Sequence, residues 1–257
     1  MSKRKAVHWK NPRLLFFYPF IDSNLNNLQI PIKIIQTADE ATISKIIVAT
    51  NTQTEVTNEQ LMSLNEFHRR LVSFYTTFEG NQRLYYERRS RQYDTVQDIE
   101  KVRIVSINTQ IKAVAAMFFD KPHLASRYYG KLLKSKEGIF DNNHRLMPYY
   151  CCTYALYKLE YMFRNKLLPS EYRKFRYHIL MLLKYDIATE KIPQLNANKM
   201  DRLCEKIIDC INDNTIFTEE INKLITQIQK IASDSSDSEP TKSANFVTQL
   251  KQQYVIK

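Results

Sequence analysis

The sequence predicts a predominantly α, α+β fold: a small strand segment near the N-terminus followed by a helical bundle. Three observations predict it. Glycine is scarce, with 3 in 257 residues, which disfavours all-β folds built on tight turns. From Asn108 onward apolar residues recur at the helical period. Before that point, short β-prone runs alternate with helix-start signals. At 44% apolar and 25% charged residues, a chain of this length buries a real core and is not wholly disordered.

Residues 1–27 form an irregular segment, basic and then Asn-rich. The run Leu14-Leu15-Phe16-Phe17-Tyr18-Pro19-Phe20-Ile21 follows Lys3, Arg4 and Lys5. It is too short and too aromatic for a signal peptide and is interrupted by Pro19, so a buried strand or loop is expected. Residues 28–231 read as one domain, an α/β part over 28–107 and a helical part over 108–231. Ile30-Pro31-Ile32-Lys33-Ile34-Ile35 predicts a strand, with Pro31 near its start, where a missing N–H is tolerated. Thr37-Ala38-Asp39-Glu40 has the capping-box form and predicts a helix to Ala49. After the polar turn at 50–54, Thr57-Asn58-Glu59-Gln60 opens a second helix with Leu61, Leu64, Leu71 and Phe74 on one face, bridged by His68. Residues 83–87 and 101–107 are β-prone.

The helical part carries five stripes. They are Ile111, Val114, Ala115, Phe118; Tyr150, Tyr154, Tyr157, Tyr161; Tyr172, Phe175, Ile179, Leu182; Met200, Leu203, Ile207, Ile211; and Ile221, Leu224, Ile228, Ile231. Pro122 starts a fresh helix. The tyrosine stripe reads as a packed helix–helix seam rather than a stacking platform. Residues 232–257, opening on a Ser/Asp-rich tract, read as a flexible acidic linker and a tail with at most a short helix.

Composition also bounds function. The net charge of +11 favours an anionic partner, nucleic acid first. No glycine-rich phosphate loop is present, and no apolar run approaches the roughly 20 residues that cross a bilayer. A cytoplasmic location and no membrane partner are therefore expected. Cys151, Cys152, Cys204 and Cys210 form no Cys-x-x-Cys pair and read as buried, reduced thiols.

The segment from Arg83 to Tyr93 concentrates the candidate chemistry. It holds four arginines, Arg83, Arg88, Arg89 and Arg91, against the single Glu87, with Tyr85, Tyr86 and Tyr93 interleaved. Guanidinium forks suit phosphate oxygens, and phenol rings stack on unpaired bases. The competing reading is an arginine-rich strand edge whose tyrosines pack on the core. Glu87 is the carboxylate a nuclease would use, but cleavage needs further carboxylates converging on a metal. Asn51 and Gln53 can present donors and acceptors to a nucleotide, or simply close the preceding helix and turn. Asp120-x-x-His123 and Asp141-x-x-His144 have a ligand-like spacing, yet only pairs are seen, so no metal site is predicted. No cofactor is predicted, a divalent metal entering only under a nuclease reading.

Four landmarks, in order, resemble one family. They are the strand at 30–35 with Ile47-Val48-Ala49-Thr50-Asn51-Thr52-Gln53-Thr54-Glu55-Val56; Leu84-Tyr85-Tyr86-Glu87-Arg88-Arg89-Ser90-Arg91-Gln92-Tyr93; the run from Ala115 through Asp120-Lys121-Pro122-His123 to Arg127-Tyr128-Tyr129-Gly130; and Ile139-Phe140-Asp141 leading into Pro148-Tyr149-Tyr150. Over roughly residues 28 to 165 they look like the AIPR (abortive infection phage resistance) family. The resemblance implies a component of bacterial anti-phage defence. It departs at the start, because nothing in residues 1–27 matches the Asn-Gly-x-Gln-Thr-like motif of the family's N-terminal half. The chain therefore resembles a C-terminal portion, either of a truncated gene or of a split protein whose partner supplies that half. The 83–93 segment, with Arg127 and Lys131, is expected to engage nucleic acid. Two alternatives stay open: part of a nuclease or nucleotide-handling enzyme using Asn51, Gln53, Glu87 and Arg88, or an interaction module or truncated remnant. No self-contained active site is recognisable.

Overall fold

The computed structural model describes residues 37, 39, 42, 65–89, 91–125, 132, 138–234 and 238–255. The chain divides into two units, Met1–Ile46 and Ile47–Lys257. In the first, Thr42 is helical and its N–H donates to the Asp39 carboxylate at 3.1 Å, while the Asp39 N–H donates to Thr37 Oγ1 at 3.1 Å. The capping role expected of Thr37 thus falls to Asp39, whose carboxylate reaches the N–H three residues on. The strand at 30–35, the turn carrying Asn51 and Gln53, and the helix start at Thr57 lie outside the described residues.

Within the second unit the described residues form eight α-helices and a two-stranded parallel sheet. The predominantly α, α+β expectation therefore holds. Helix α1 (Glu66–Tyr75) starts at Asn65, whose side chain accepts the Phe67 N–H, and buries Phe67, His68, Leu71 and Tyr75. Its last turn is closed by Thr76 and Thr77, whose hydroxyls donate to Ser73 and Phe74 carbonyls. Strands β1 (Tyr85–Glu87) and β2 (Ile104–Ser106) pair in parallel, Tyr86 opposite Val105. Only those two central residues are buried, as a strand covered on one face requires. Both strands are shorter than expected. Lys101–Arg103 coils into a 3₁₀ turn, and the Ser106 hydroxyl accepts the Thr109 N–H and starts a helix at Ile107.

Helices α2 (Ile107–Phe118), α3 (Pro122–Ala125), α4 (Met147–Arg164), α5 (Arg176–Ile187), α6 (Asn198–Asn212), α7 (Asn214–Asp234) and α8 (Ala244–Val255) follow. The central one is α5. It packs against α2, α3, α4, α6, α7 and α8 and buries every residue from Tyr177 to Lys184. A one-sided stripe was too narrow a reading for it, since a helix apolar all round is enclosed on all sides. Helices α6 and α7 bury the expected stripes except Ile231, which is half-buried. On α4 the tyrosine seam is packed at Tyr150 and Tyr154, while Tyr161 is 52% exposed. Residues 232–257, expected as linker and tail, carry α8, whose Phe246, Val247 and Leu250 are buried. Among the described residues no helix is long and apolar enough to cross a membrane.

A buried polar knot ties α1, α2 and α4 together. The Tyr75 hydroxyl lies 2.7 Å from Gln110 Oε1, 2.6 Å from Thr153 Oγ1 and 3.1 Å from the Tyr149 carbonyl, to which Gln110 Nε2 also donates at 2.8 Å. Tyr75→Phe removes the donor to the buried Gln110 oxygen and should cost about 1–3 kcal/mol. A lower urea midpoint with an unchanged slope checks this. Cys151, Cys152 and Cys204 are buried, Cys210 is half-buried, and all four are free thiols. Burial pushes the Cys152 and Cys204 thiols well up, so neither is a ready nucleophile.

Candidate nucleic-acid interface

The segment singled out by sequence splits into a buried base and an exposed tip. At the base, Tyr86 is fully buried, its hydroxyl 2.6 Å from His68 Nδ1 and the two rings stacked. Arg83 is half-buried and donates to the Tyr75 and Phe78 carbonyls at 3.2 Å each, satisfying oxygens at and just beyond the end of α1. These two side chains hold the fold, and the Tyr86 ring has no face left for a base. Tyr85 and Tyr93 are half-buried and meet edge to face at 5.6 Å, with the Arg83 guanidinium 5.1 Å from the Tyr85 ring centre. The Tyr93 hydroxyl reaches the Tyr86 carbonyl at 3.4 Å.

The tip is a tight turn. The Gln92 N–H donates to the Arg89 carbonyl, and the Gln92 side chain returns to accept the Arg89 N–H. Arg91 takes the left-handed conformation (φ 61°), which turns the chain back toward Tyr93. Arg89 and Arg91 are exposed. The Arg91 contact with Asp94 is 3.9 Å between two solvated side chains and holds little. Arg88 is half-buried, and its charge adds to burial in pushing the His68 imidazole down to about 4. Glu87 is half-buried at the end of β1, opposite Ser106. Asp94, Asp98 and Glu100 follow in the same connection, so the cationic character is confined to the turn itself. Arg127 and Lys131 lie outside the described residues.

Among the described residues no group of three or more His, Cys, Asp or Glu side chains is placed to hold a metal. Three of the four side chains of the Asp-x-x-His pairs are engaged by the fold, while His123 Nδ1 is buried with no hydrogen-bond partner among the described residues. Asp120 binds Lys184, Lys251 and the Tyr185 hydroxyl, and Asp141 accepts the Asn143 N–H. His144 Nδ1 lies 2.9 Å from the Tyr149 hydroxyl, which also accepts the Phe140 N–H. The phenol proton is then free to donate to Nδ1, which leaves the imidazole hydrogen on Nε2. Burial holds that imidazole below its ordinary pKa. His144 lines a cleft of about 580 Å³ with Phe74, Phe78, Arg70 and Arg145. The two arginines there are already engaged, Arg70 on the Asn142 carbonyl and Arg145 on the Asp201 carboxylate.

A second depression, of about 240 Å³, lies where the α5–α6 connection meets α6. Lys191, Lys199, Arg202 and Lys206 line it together with Glu190. Hydrophobic patterning marks only the apolar side of α6, and these cations lie off that stripe. Their spacing on that helix, i, i+3 and i+7, was the signal that could have found them.

No curated protein and no solved structure matches the chain. A family model, AIPR protein, matches residues 15–240. That span covers most of the chain and contains all of the arginine-rich turn, and the chain belongs to the AIPR family.

Proposed function

We propose that this abortive-infection-related protein contacts nucleic acid through the turn after β1. Arg89 and Arg91 reach phosphate oxygens there, and the half-exposed rings of Tyr85 and Tyr93 border them. One observation carries the reading: two exposed guanidinium groups stand on a turn held at its base by the Tyr85–Tyr93 contact and the Tyr93 hydrogen bond. A fixed base lowers the ordering cost of binding. By residue type, Arg127 and Lys131 are further candidates for phosphate contact.

The test is fluorescence anisotropy of a labelled single-stranded oligonucleotide over a salt series. Affinity should fall steeply with salt, because phosphate neutralisation releases counterions. Removing both guanidinium groups (Arg89→Ala with Arg91→Ala) should weaken binding about tenfold and flatten the log–log salt slope by about 1.4, at about 0.7 per phosphate contact. The melting temperature should not change, since both side chains are exposed. Salt-insensitive binding, or none at low salt, overturns the reading.

A further inference from the structure

We propose that the depression between the α5–α6 connection and α6 is a second anion site, one that seats the phosphate group of a nucleotide unit. It shares no residue with the arginine-rich turn and stands on separate observations.

The first observation is unpaired charge. Lys191 enters from the connection, while Lys199, Arg202 and Lys206 come from α6. At i, i+3 and i+7 those three project within one narrow arc of the helix. Against these four cations the lining offers one carboxylate, Glu190. Among the described residues none of the four cations forms an ion pair. Neighbouring cations on the bundle do: Arg145 with Asp201, Arg173 and Arg176 with Glu160, and Lys223 with Asp186. Like charges lining one hollow repel one another unless an anion enters.

The second observation is the helix end. α6 runs for 15 residues from Asn198, so its first turn carries the positive end of the helix dipole. The only acidic residue in that turn, Asp201, is spent on Arg145. Lys199 therefore adds positive charge where the backbone already favours an anion.

The third observation is shape. At about 240 Å³ the hollow is below the roughly 300–1,000 Å³ of pockets for drug-sized ligands. Half-buried Ile187 and Pro193 and buried Leu203 give it an apolar side. That combination suits a phosphate with part of its sugar. The phosphate belongs either to a free nucleotide or to a nucleic-acid backbone.

The experiment titrates the full chain with pyrophosphate, ATP and a short single-stranded DNA by calorimetry at low salt. Lys199→Ala with Arg202→Ala should weaken pyrophosphate binding at least about tenfold. The charge-matched control, Lys174→Ala with Lys230→Ala, should change it less than about twofold. Arg202→Lys keeps the charge and should keep most of the affinity, which separates charge from folding. ATP binding that the DNA does not displace assigns the site to a free nucleotide. DNA binding weakened by the same pair assigns it to the backbone. In a chain already lacking Arg89 and Arg91, the Lys199/Arg202 pair should still weaken pyrophosphate binding at least about tenfold, so failure of the turn and failure of this site read out separately. The proposal is overturned if the wild-type chain binds none of the three probes, or if the Lys199/Arg202 pair behaves like the control.

Discussion

Lowering the pH from about 7.5 to about 4.5 should cost the folded chain about 5 kcal/mol through two histidines alone. His178 on α5 is fully buried between Phe175 and Phe246, with no hydrogen-bond partner for either ring nitrogen among the described residues. Burial, helped by the nearby His123, pushes it down from 6.5 to about 3. His68 on α1 is pushed down to about 4 by burial and then by Arg88. Both folded-state values lie below the unfolded value, so between them the unfolded chain binds more protons. Stability is then intact above pH 6.5 and falls as pH drops. The fall ends at about 4 for His68 and about 3 for His178. Each group contributes up to about 1.4 kcal/mol per pH unit within its window. Urea unfolding at the two pH values measures the loss. His178→Leu should remove about half of the pH dependence and leave stability at neutral pH equal or higher, because two unpartnered nitrogens leave the core. A wild-type midpoint that does not move with pH contradicts the assignment.

Asp120→Ala should destabilise the chain by about 3–5 kcal/mol, because it leaves a buried ammonium without its counterion. The Lys184 side chain is 2% exposed, and its Nζ is 2.7 Å from Asp120 Oδ1. Lys251 Nζ from α8 and the Tyr185 hydroxyl reach Oδ2 at 2.7 and 2.6 Å. Burial works to raise the Asp120 carboxyl, but the Lys184 charge and the three hydrogen bonds outweigh it and hold the pKa below its ordinary value. Asp120 also takes a left-handed turn (φ 54°) out of α2, while the Lys121 N–H closes on the Ala115 carbonyl. Asp tolerates that conformation better than Ala, which adds to the loss. At about 2–4 °C per kcal/mol for chains of this size, the melting temperature should fall by about 10 °C. Adding Lys184→Met should restore much of it, because the orphaned charge is then gone. A double variant no more stable than Asp120→Ala would mean that the carboxylate acts through the turn alone.

The arginine-rich segment shows how far sequence reading carries. Residue types pointed to an anion-seeking face, and Arg89 and Arg91 are exposed on a turn. Composition could not tell Tyr86, buried against His68, from Tyr85 and Tyr93, because the two-residue strand period places neighbours on opposite faces only once the strand is set. Nor could it show that Arg83 would be occupied by carbonyls at the end of α1. The α6 cations were legible in their spacing, but that they share a hollow with Lys191 depends on where the α5–α6 connection runs.

Local periodicity marked out the helices from α2 to α7 and the apolar stripes of α6 and α7, and ordered motifs carried the family resemblance, because each rests on residues close in sequence. Only tertiary structure decided that α5 is enclosed on every side, that Asp120 gathers lysines 64 and 131 residues away, and that His178 sits among aromatic rings with no hydrogen-bond partner among the described residues. Those outcomes depend on which surfaces meet after packing. The energies of burial and of unpaired charge are set by that meeting and not by neighbours along the chain.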